Sequence, residues 1–294
     1  MFSGNAILCP TIYKFKVHML NLKQFVLGST AGRMLMSARD AIDLFHAAYN
    51  SPESVGTAAN DQLATLLVTR ICQSGRTFID VGAHIGSIIS SVAHNDPSIN
   101  IVAIEAVSEK ATNLRKKFPF IKVHACAVGD QDGEVSFYIN TRQSGYSSLG
   151  KPAVEGDSFI REVRVPIKRL DELVAPNDID VIKIDVEGAE LGVLRGSRKI
   201  IETSCPIIMF ESAPPGDPDG SGFTKEDLWQ FLTELNYTIH IPNRVAHNDQ
   251  GLGREGFVES HVYPRRTTNY FAIPRERRIE VRDRARNLLG IVKT

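Results

Sequence analysis

The sequence predicts an α/β protein: a seven-stranded, mostly parallel sheet with helices on both faces, N-terminal helices beside it and a C-terminal amphipathic helix. Three observations carry this. Five short apolar runs, at 78–81, 100–105, 121–128, 180–185 and 206–210, alternate with helix-periodic segments, and two late runs follow at 237–241 and 269–273. Acids stand at or near the carboxyl ends of four of these runs, as Asp80, Glu105, Asp185 and Glu211. A chain of 294 residues that is 43% hydrophobic can fill one such core.

Taken in order, residues 1–57 read as a helical extension. Val17 to Leu27 suits a short helix. Leu35, Ala38, Ile42, Phe45 and Tyr49 recur at three- and four-residue steps, one face of a helix that Ser51-Pro52 ends. Leu63, Leu66, Leu67 and Ile71 share a face of a second helix over about Ala58 to Cys72. Both helices are expected to cap or flank the sheet.

The first strand, Phe78 to Val81, runs into Gly82-Ala83-His84-Ile85-Gly86. Glycines at such a turn let backbone approach a ligand closely, and ligands of open α/β sheets lie outside the carboxyl ends of the strands. A dinucleotide fingerprint needs G-x-G-x-x-G, and His84 stands at its second glycine. The Gly-Lys-Ser/Thr ending of a phosphate loop is missing too. Asp80 followed by G-x-x-x-G suits a cofactor without phosphates, and S-adenosylmethionine has a sulfonium, an ammonium and ribose hydroxyls that want acceptors. The plainer alternative is a turn in which Asp80 only caps. Glu105, 19 residues beyond Gly86, closes the second strand at the offset of an acid that holds ribose hydroxyls.

Ser108 is expected to cap a helix that runs to about Phe118, with Glu109 in its first turn. Ile121 to Val128 reads as one strand ending in Ala127-Val128-Gly129, where small residues can seat an adenine ring or simply turn. Glu134 to Asn140 and Val163 to Ile167 are further strands around a polar loop at 141–156. Asp180 to Glu190 brings Lys183 and Asp185 to one side of a strand, with Glu187 just past it. After a Pro/Gly-rich loop at 213–222, Thr224 and Asp227 form an acidic capping box. Trp229 lies off the helix's apolar face. His247 and His261 sit in a glycine-containing loop and are expected at the surface. In the tail, Val281, Ala285, Leu288, Leu289 and Val292 make one face, expected to dock on the domain or pair with a second copy.

Thirty-four basic and thirty-four acidic residues give zero formal charge, so no global field invites nucleic acid or an anionic membrane. Cys9, Cys72, Cys126 and Cys205 are scattered, without the pairing of a zinc site or disulfide framework. Cys126 and Cys205 are expected to be small buried residues. No apolar run reaches transmembrane length and no signal peptide is evident, so the expectation is a cytoplasmic protein.

The motifs Ile79-Asp80-Val81-Gly82-Ala83-His84-Ile85-Gly86, Ile104-Glu105-Ala106, Ala127-Val128-Gly129-Asp130, Gly133-Glu134-Val135, Ser147-Ser148-Leu149 and Val181-Ile182-Lys183-Ile184-Asp185-Val186-Glu187-Gly188-Ala189-Glu190 together resemble the FkbM family of S-adenosylmethionine-dependent methyltransferases. The resemblance covers roughly 58–273. Two departures are His84, where the family usually has Asn, and positions 106–107, where a Pro commonly follows the acid. It implies a Rossmann-like sheet with an antiparallel last strand, and O-methylation of a small-molecule hydroxyl, on a sugar or polyketide-like acceptor. The expected organisation is an extension at 1–57, the methyltransferase domain at 58–274 and a helical tail at 275–294.

On this reading Asp80, Gly82, Ala83, His84 and Gly86 hold the methionine portion of S-adenosylmethionine, Glu105 the ribose, and Ala127 lies against the adenine. Asp185 and Glu187 act as base or orienter, and Lys183 tunes or pairs with them. The structural alternative makes Lys183–Asp185 a strand-end ion pair and Glu187 a helix cap. Two acids at Asp185-x-Glu187 are too little to assign a metal. A nicotinamide-dependent oxidoreductase and a noncatalytic partner-binding module are the competing functions.

Overall fold

The computed structural model describes residues 30–140, 160–212 and 223–291, with side chains from residue 38 onward. The expected helix at Val17–Leu27, the loops at 141–156 and 213–222, the motif Ser147-Ser148-Leu149, and Val292 lie outside the described residues.

Helices α1 (Thr30–Asn50) and α2 (Val55–Val68) lead into β1 (Thr77–Val81), α3 (Ser87–Asn95), β2 (Asn100–Ile104), α4 (Ser108–Lys117) and β3 (Lys122–His124). Next come β4 (Ala127–Val128), β5 (Gly133–Asn140), β6 (Ile160–Lys168), α5 (Leu170–Leu173) and β7 (Ile179–Ile184). The chain continues through α6 (Glu190–Arg195), α7 (Arg198–Ser204), β8 (Ile207–Glu211), α8 (Lys225–Glu234), β9 (Tyr237–His240), α9 (Arg254–Glu259), β10 (Asn269–Pro274) and α10 (Arg278–Leu288).

Seven strands form the main sheet in the order β3-β2-β1-β7-β8-β10-β9. The β1–β2, β2–β3, β1–β7 and β7–β8 pairs are parallel, and β10 is antiparallel to both neighbours. Alternation along β1 sends Ile79 and Val81 into a core shared with Ile182, Ile184, Leu191 and Phe210. It sends Phe78 to the opposite face, against Leu67, Val181, Phe271 and Val281. The chain winds outward from β1 through β2 to β3, then returns to the far side of β1 as β7. The order reverses there, and the crevice beyond the carboxyl ends of β1 and β7 is where such sheets take ligands.

Several elements differ from the sequence reading. The run at 121–128 is two strands: β3 joins the main sheet, whereas β4 joins β6 and β5 in a separate three-stranded sheet with its own core of Val107, Ala127, Phe137, Ile139, Val165 and Ile167. Ser108 is not a cap: it is the first helical residue of α4, and Val107 precedes it in extended conformation without a side-chain cap. The Ile42, Phe45 and Tyr49 face of α1 is exposed, at 61%, 73% and 80%; its half-buried side carries Asp40, whose carbonyl accepts from Gln62 of α2. Cys126 is buried as expected, but Cys205 is only half-buried because it ends α7 in the left-handed region.

Other elements follow the reading. Thr224 and Asp227 form the capping box at α8, and Trp229 donates to the Leu252 carbonyl at 3.0 Å. The tail docks: Val281 and Ala285 of α10 are fully buried. Arg277, just before α10, and Arg284 within it reach the buried Asp180 at 2.6 and 2.8 Å, tying the tail to the amino end of β7, opposite the crevice.

Candidate active site at the switch point

The turn after β1 is built by backbone constraints. Gly82 and Gly86 both have φ +81, a region glycine enters without penalty. Gly82 has a second reason: a Cβ there would land on the Asp185 carbonyl oxygen of the turn after β7. The two turns therefore touch through backbone. A Cβ on Gly86 would meet only the ends of the Phe118 and Leu114 side chains, at 2.5 and 2.8 Å. Gly82 and Ala83 N–H both donate to the Ile104 carbonyl, at 3.0 and 3.1 Å, which fixes the turn against β2. His84 has φ +49 and Glu187, in the facing turn, φ +52. Non-glycine residues in this region cost on the order of 1–3 kcal/mol each and gather at functional sites.

Glu105, 6% exposed, joins the first turn to the next. Its Oε2 accepts from His84 N–H at 2.8 Å and its Oε1 from Val107 N–H at 2.9 Å. Burial pushes its carboxyl up; Lys110 and the two N–H groups oppose that shift. Each oxygen keeps acceptor capacity beyond the bond it makes.

Behind the crevice lies a line of buried charge. The register sets Asp80 beside Lys183 on adjacent parallel strands. The Lys183 ammonium lies 3.1 Å from Asp80 Oδ1 and 3.1 Å from Asp185 Oδ2, and it donates to the Gly82 carbonyl at 3.1 Å. Burial disfavours the ammonium, yet Asp185 and Asp80 more than offset this and raise its pKa. Burial pushes Asp80 up against Lys183. It also pushes Asp185 up, but the ammonium and a hydrogen bond with Glu211 outweigh it and hold Asp185 below the ordinary carboxylate range. Asp80 is 1% exposed and Asp185 37%, so Asp80 is the foundation of the line and Asp185 its open end.

Two acids without an assigned role complete the site. Glu211 ends β8 next to Asp185, and burial followed by Asp185 pushes its carboxyl up to about 9. Glu190 is buried, accepts from Gly188 N–H at 3.0 Å, and is pushed up to about 7 by desolvation. The sequence signal for Glu211 is the one that marks Glu105 and Asp185, an apolar run closing on an acid. Carboxylate oxygens of Asp185, Glu187 and Glu211 all lie within 4.8 Å of one another; acidic neighbours alone do not define a metal centre.

Ala127 sits apart from this charge. It is buried among Val107, Phe137 and Ile167 of the small sheet, so its side chain packs and only its backbone is available to a ring. His261, expected at the surface, is 3% exposed. Its Nδ1 donates to the Phe257 carbonyl at 2.8 Å, which leaves Nε2 to accept from the Ser212 hydroxyl at 2.9 Å. Burial lowers its pKa to about 4, so it is a neutral structural residue under β8. His247 is exposed, as expected.

A sequence model of the methyltransferase FkbM domain matches residues 80–239. "Methyltransferase 1" of Beauveria bassiana is 25% identical over 141 residues, 40% of this chain and 57% of that protein. Among solved structures, methyltransferase FkbM from Methylobacillus flagellatus is similar with a TM-score of 0.41 and 17% identity, over 68% of this chain and 43% of that one. Precorrin-6y C5,15-methyltransferase from Geobacter metallireducens is similar with a TM-score of 0.36 and 14% identity, over 60% of this chain and 72% of that one. The chain thus spans about half the length of the first two proteins it matches.

Proposed function

The chain belongs to the methyltransferase FkbM family, and from that premise we propose that it transfers a methyl group from S-adenosylmethionine to a hydroxyl of a small molecule, a sugar or polyketide-like acceptor, in the cytoplasm. The observation that carries the cofactor is Asp80: its carboxylate is buried under the glycine turn, and Oδ2 has no hydrogen-bond donor among the described residues. Asp80, Glu105, Asp185 and Glu187 outnumber the lysines beside them, Lys183 and Lys110, so the site favours a cationic, phosphate-free group. That set of acceptors fits the sulfonium, ammonium and ribose hydroxyls of S-adenosylmethionine. Asp80 with the backbone of Gly82, Ala83, His84 and Gly86 would hold the methionine portion, Glu105 the ribose, and the Ala127 backbone the adenine edge.

When bound, the cofactor supplies a methyl on a cationic sulfur, and the protein's part is alignment and proton removal. Alignment can contribute up to about 7–11 kcal/mol. Asp185, held ionised by Lys183, is a good hydrogen-bond acceptor but a weak base. It orients the acceptor hydroxyl, and Glu187 at the rim takes the proton. Lys183 keeps Asp185 charged and in place.

Calorimetric titration of the full chain tests the cofactor, with NAD as control. S-adenosylmethionine binds and NAD does not. Glu105→Gln weakens binding by about 10- to 100-fold, the range for a lost hydrogen bond to a charged group. A folded protein that binds no S-adenosylmethionine, or binds NAD instead, sinks the reading.

Glu187→Gly separates chemistry from fold. Glycine accepts φ +52 without penalty, so denaturant stability stays level or rises by about 1 kcal/mol. Transfer of labelled methyl to a panel of free sugars and phenolic or polyketide-type alcohols falls by about 10²–10⁴-fold. Equal transfer by variant and wild type would remove Glu187 from the mechanism.

A further inference from the structure

Strands β7 and β8 run parallel with Ile184 beside Phe210. The next residue on each, Asp185 and Glu211, therefore leave the sheet side by side, and their carboxyl oxygens lie within 4.8 Å of each other. The Lys183 ammonium donates to the Gly82 carbonyl and is ion-paired with Asp80 and Asp185, each at 3.1 Å. Among the described residues no cation lies within ion-pair distance of Glu211. Two carboxyl groups this close resist ionising together, which favours a proton kept on one of them. The ammonium touches Asp185, which makes Asp185 the charged partner and Glu211 the neutral one.

We propose that Glu211 is a positioning residue of the active site: as a neutral carboxylic acid it donates a hydrogen bond to the Asp185 carboxylate and fixes the direction in which Asp185 accepts the acceptor hydroxyl. This rests on the orienting role given to Asp185 above. Lys183 holds one side of the Asp185 carboxylate and Glu211 the other, leaving the remaining lone pairs to the crevice. The other acids facing Glu211 are Glu187 and Glu190, and His84 faces Asp185 from the glycine turn. On the β10 side Glu211 pairs with uncharged Asn269. All the acids facing Glu211 disfavour its ionisation, in line with a carboxyl pushed up to about 9. With S-adenosylmethionine bound as methyl donor, Glu187 would take the hydroxyl proton as the methyl leaves sulfur for oxygen, and the Glu211 proton would stay where it is. Above pH of about 9 Glu211 ionises, the hydrogen bond becomes a repulsion, and transfer falls.

The test is a carbon-13 carboxyl NMR titration of the full chain labelled at Glu and Asp side chains. It needs no acceptor and compares wild type with Glu211→Gln, Glu211→Ala and Asp185→Asn. One wild-type Glu signal titrates near 9 and is missing from Glu211→Gln. The amide still donates, so Asp185 keeps its low midpoint in Glu211→Gln, whereas Glu211→Ala raises it by about one pH unit. Asp185→Asn brings the Glu211 midpoint down; if either Glu211 variant fails to fold, this variant and the wild-type titration decide. A Glu211 midpoint in the ordinary carboxylate range, or an Asp185 midpoint indifferent to Glu211→Ala, overturns the proposal. So does magnesium chloride or calcium chloride erasing the high titration at neutral pH, because a cation then replaces the proton between the acids. S-adenosylmethionine calorimetry on the same samples keeps the two readings apart: lost cofactor binding with the titration intact strikes the methyl-transfer reading and leaves the proton on Glu211.

Discussion

Lys183→Met is expected to destabilise the protein by about 3–5 kcal/mol, the usual cost of removing one partner from a buried ion pair. The variant keeps the length of the side chain and deletes its charge. Asp80, 1% exposed, is left with no counter-charge at 3.1 Å, and Asp185 loses the group that holds its carboxyl down. The Gly82 carbonyl also loses a donor. Urea denaturation monitored by circular dichroism reads the loss as a lower midpoint at unchanged slope. Asp80→Asn combined with Lys183→Met should recover part of it, because the uncompensated charge is gone; a double-mutant cycle gives the coupling. A cost below about 1 kcal/mol for the single variant would mean that the line of charge is solvated and that Lys183 does not organise the site.

Gly82→Ala is the second large effect, expected at about 3 kcal/mol or more, with little folded protein at physiological temperature. Two penalties add. Alanine at φ +81 is strained wherever it stands. Its methyl would also occupy the position of the Asp185 carbonyl oxygen, which is backbone and moves only if the whole β7 turn moves. Gly86→Ala is the control. It shares the φ of +81, but its methyl meets the tips of Phe118 and Leu114, which have rotamers to give. Thermal melting of the pair should place Gly82→Ala well below Gly86→Ala. Similar melting points would show that backbone conformation alone, and not the contact between the two turns, makes Gly82 necessary.

The glycine turn has a structural role besides the cofactor approach that G-x-x-x-G suggests: Gly82 lies against the protein's own β7 turn, next to Asp185. Ala127 likewise packs its side chain in the core of the second sheet.

Much of the molecule was legible because it depends on nearest neighbours along the chain. Apolar runs of strand length, acids at or near their carboxyl ends, the glycine turn, the Thr224 capping box and the apolar face of α10 are local patterns, and each folds as read. Residues 30–50 mark where local pattern misleads. The helix forms, but periodicity says only that Ile42, Phe45 and Tyr49 share a face, not that anything covers it. The run at 121–128 is continuous in apolar character, yet its halves pair with different sheets, because strand partners are chosen across the fold.

The class of sheet, the acids that end its strands and the turn that shapes the crevice are all written in the order of residues. Which of those acids meet is set by how the strands pack. Strand order brings β1 beside β7 and β7 beside β8, register sets Asp80 opposite Lys183, and the same packing places Glu211 against Asp185. The difference is one of range: propensity and periodicity act over a few residues, whereas the charge state of a buried carboxyl is set by groups within a few ångströms that the chain supplies from distant positions.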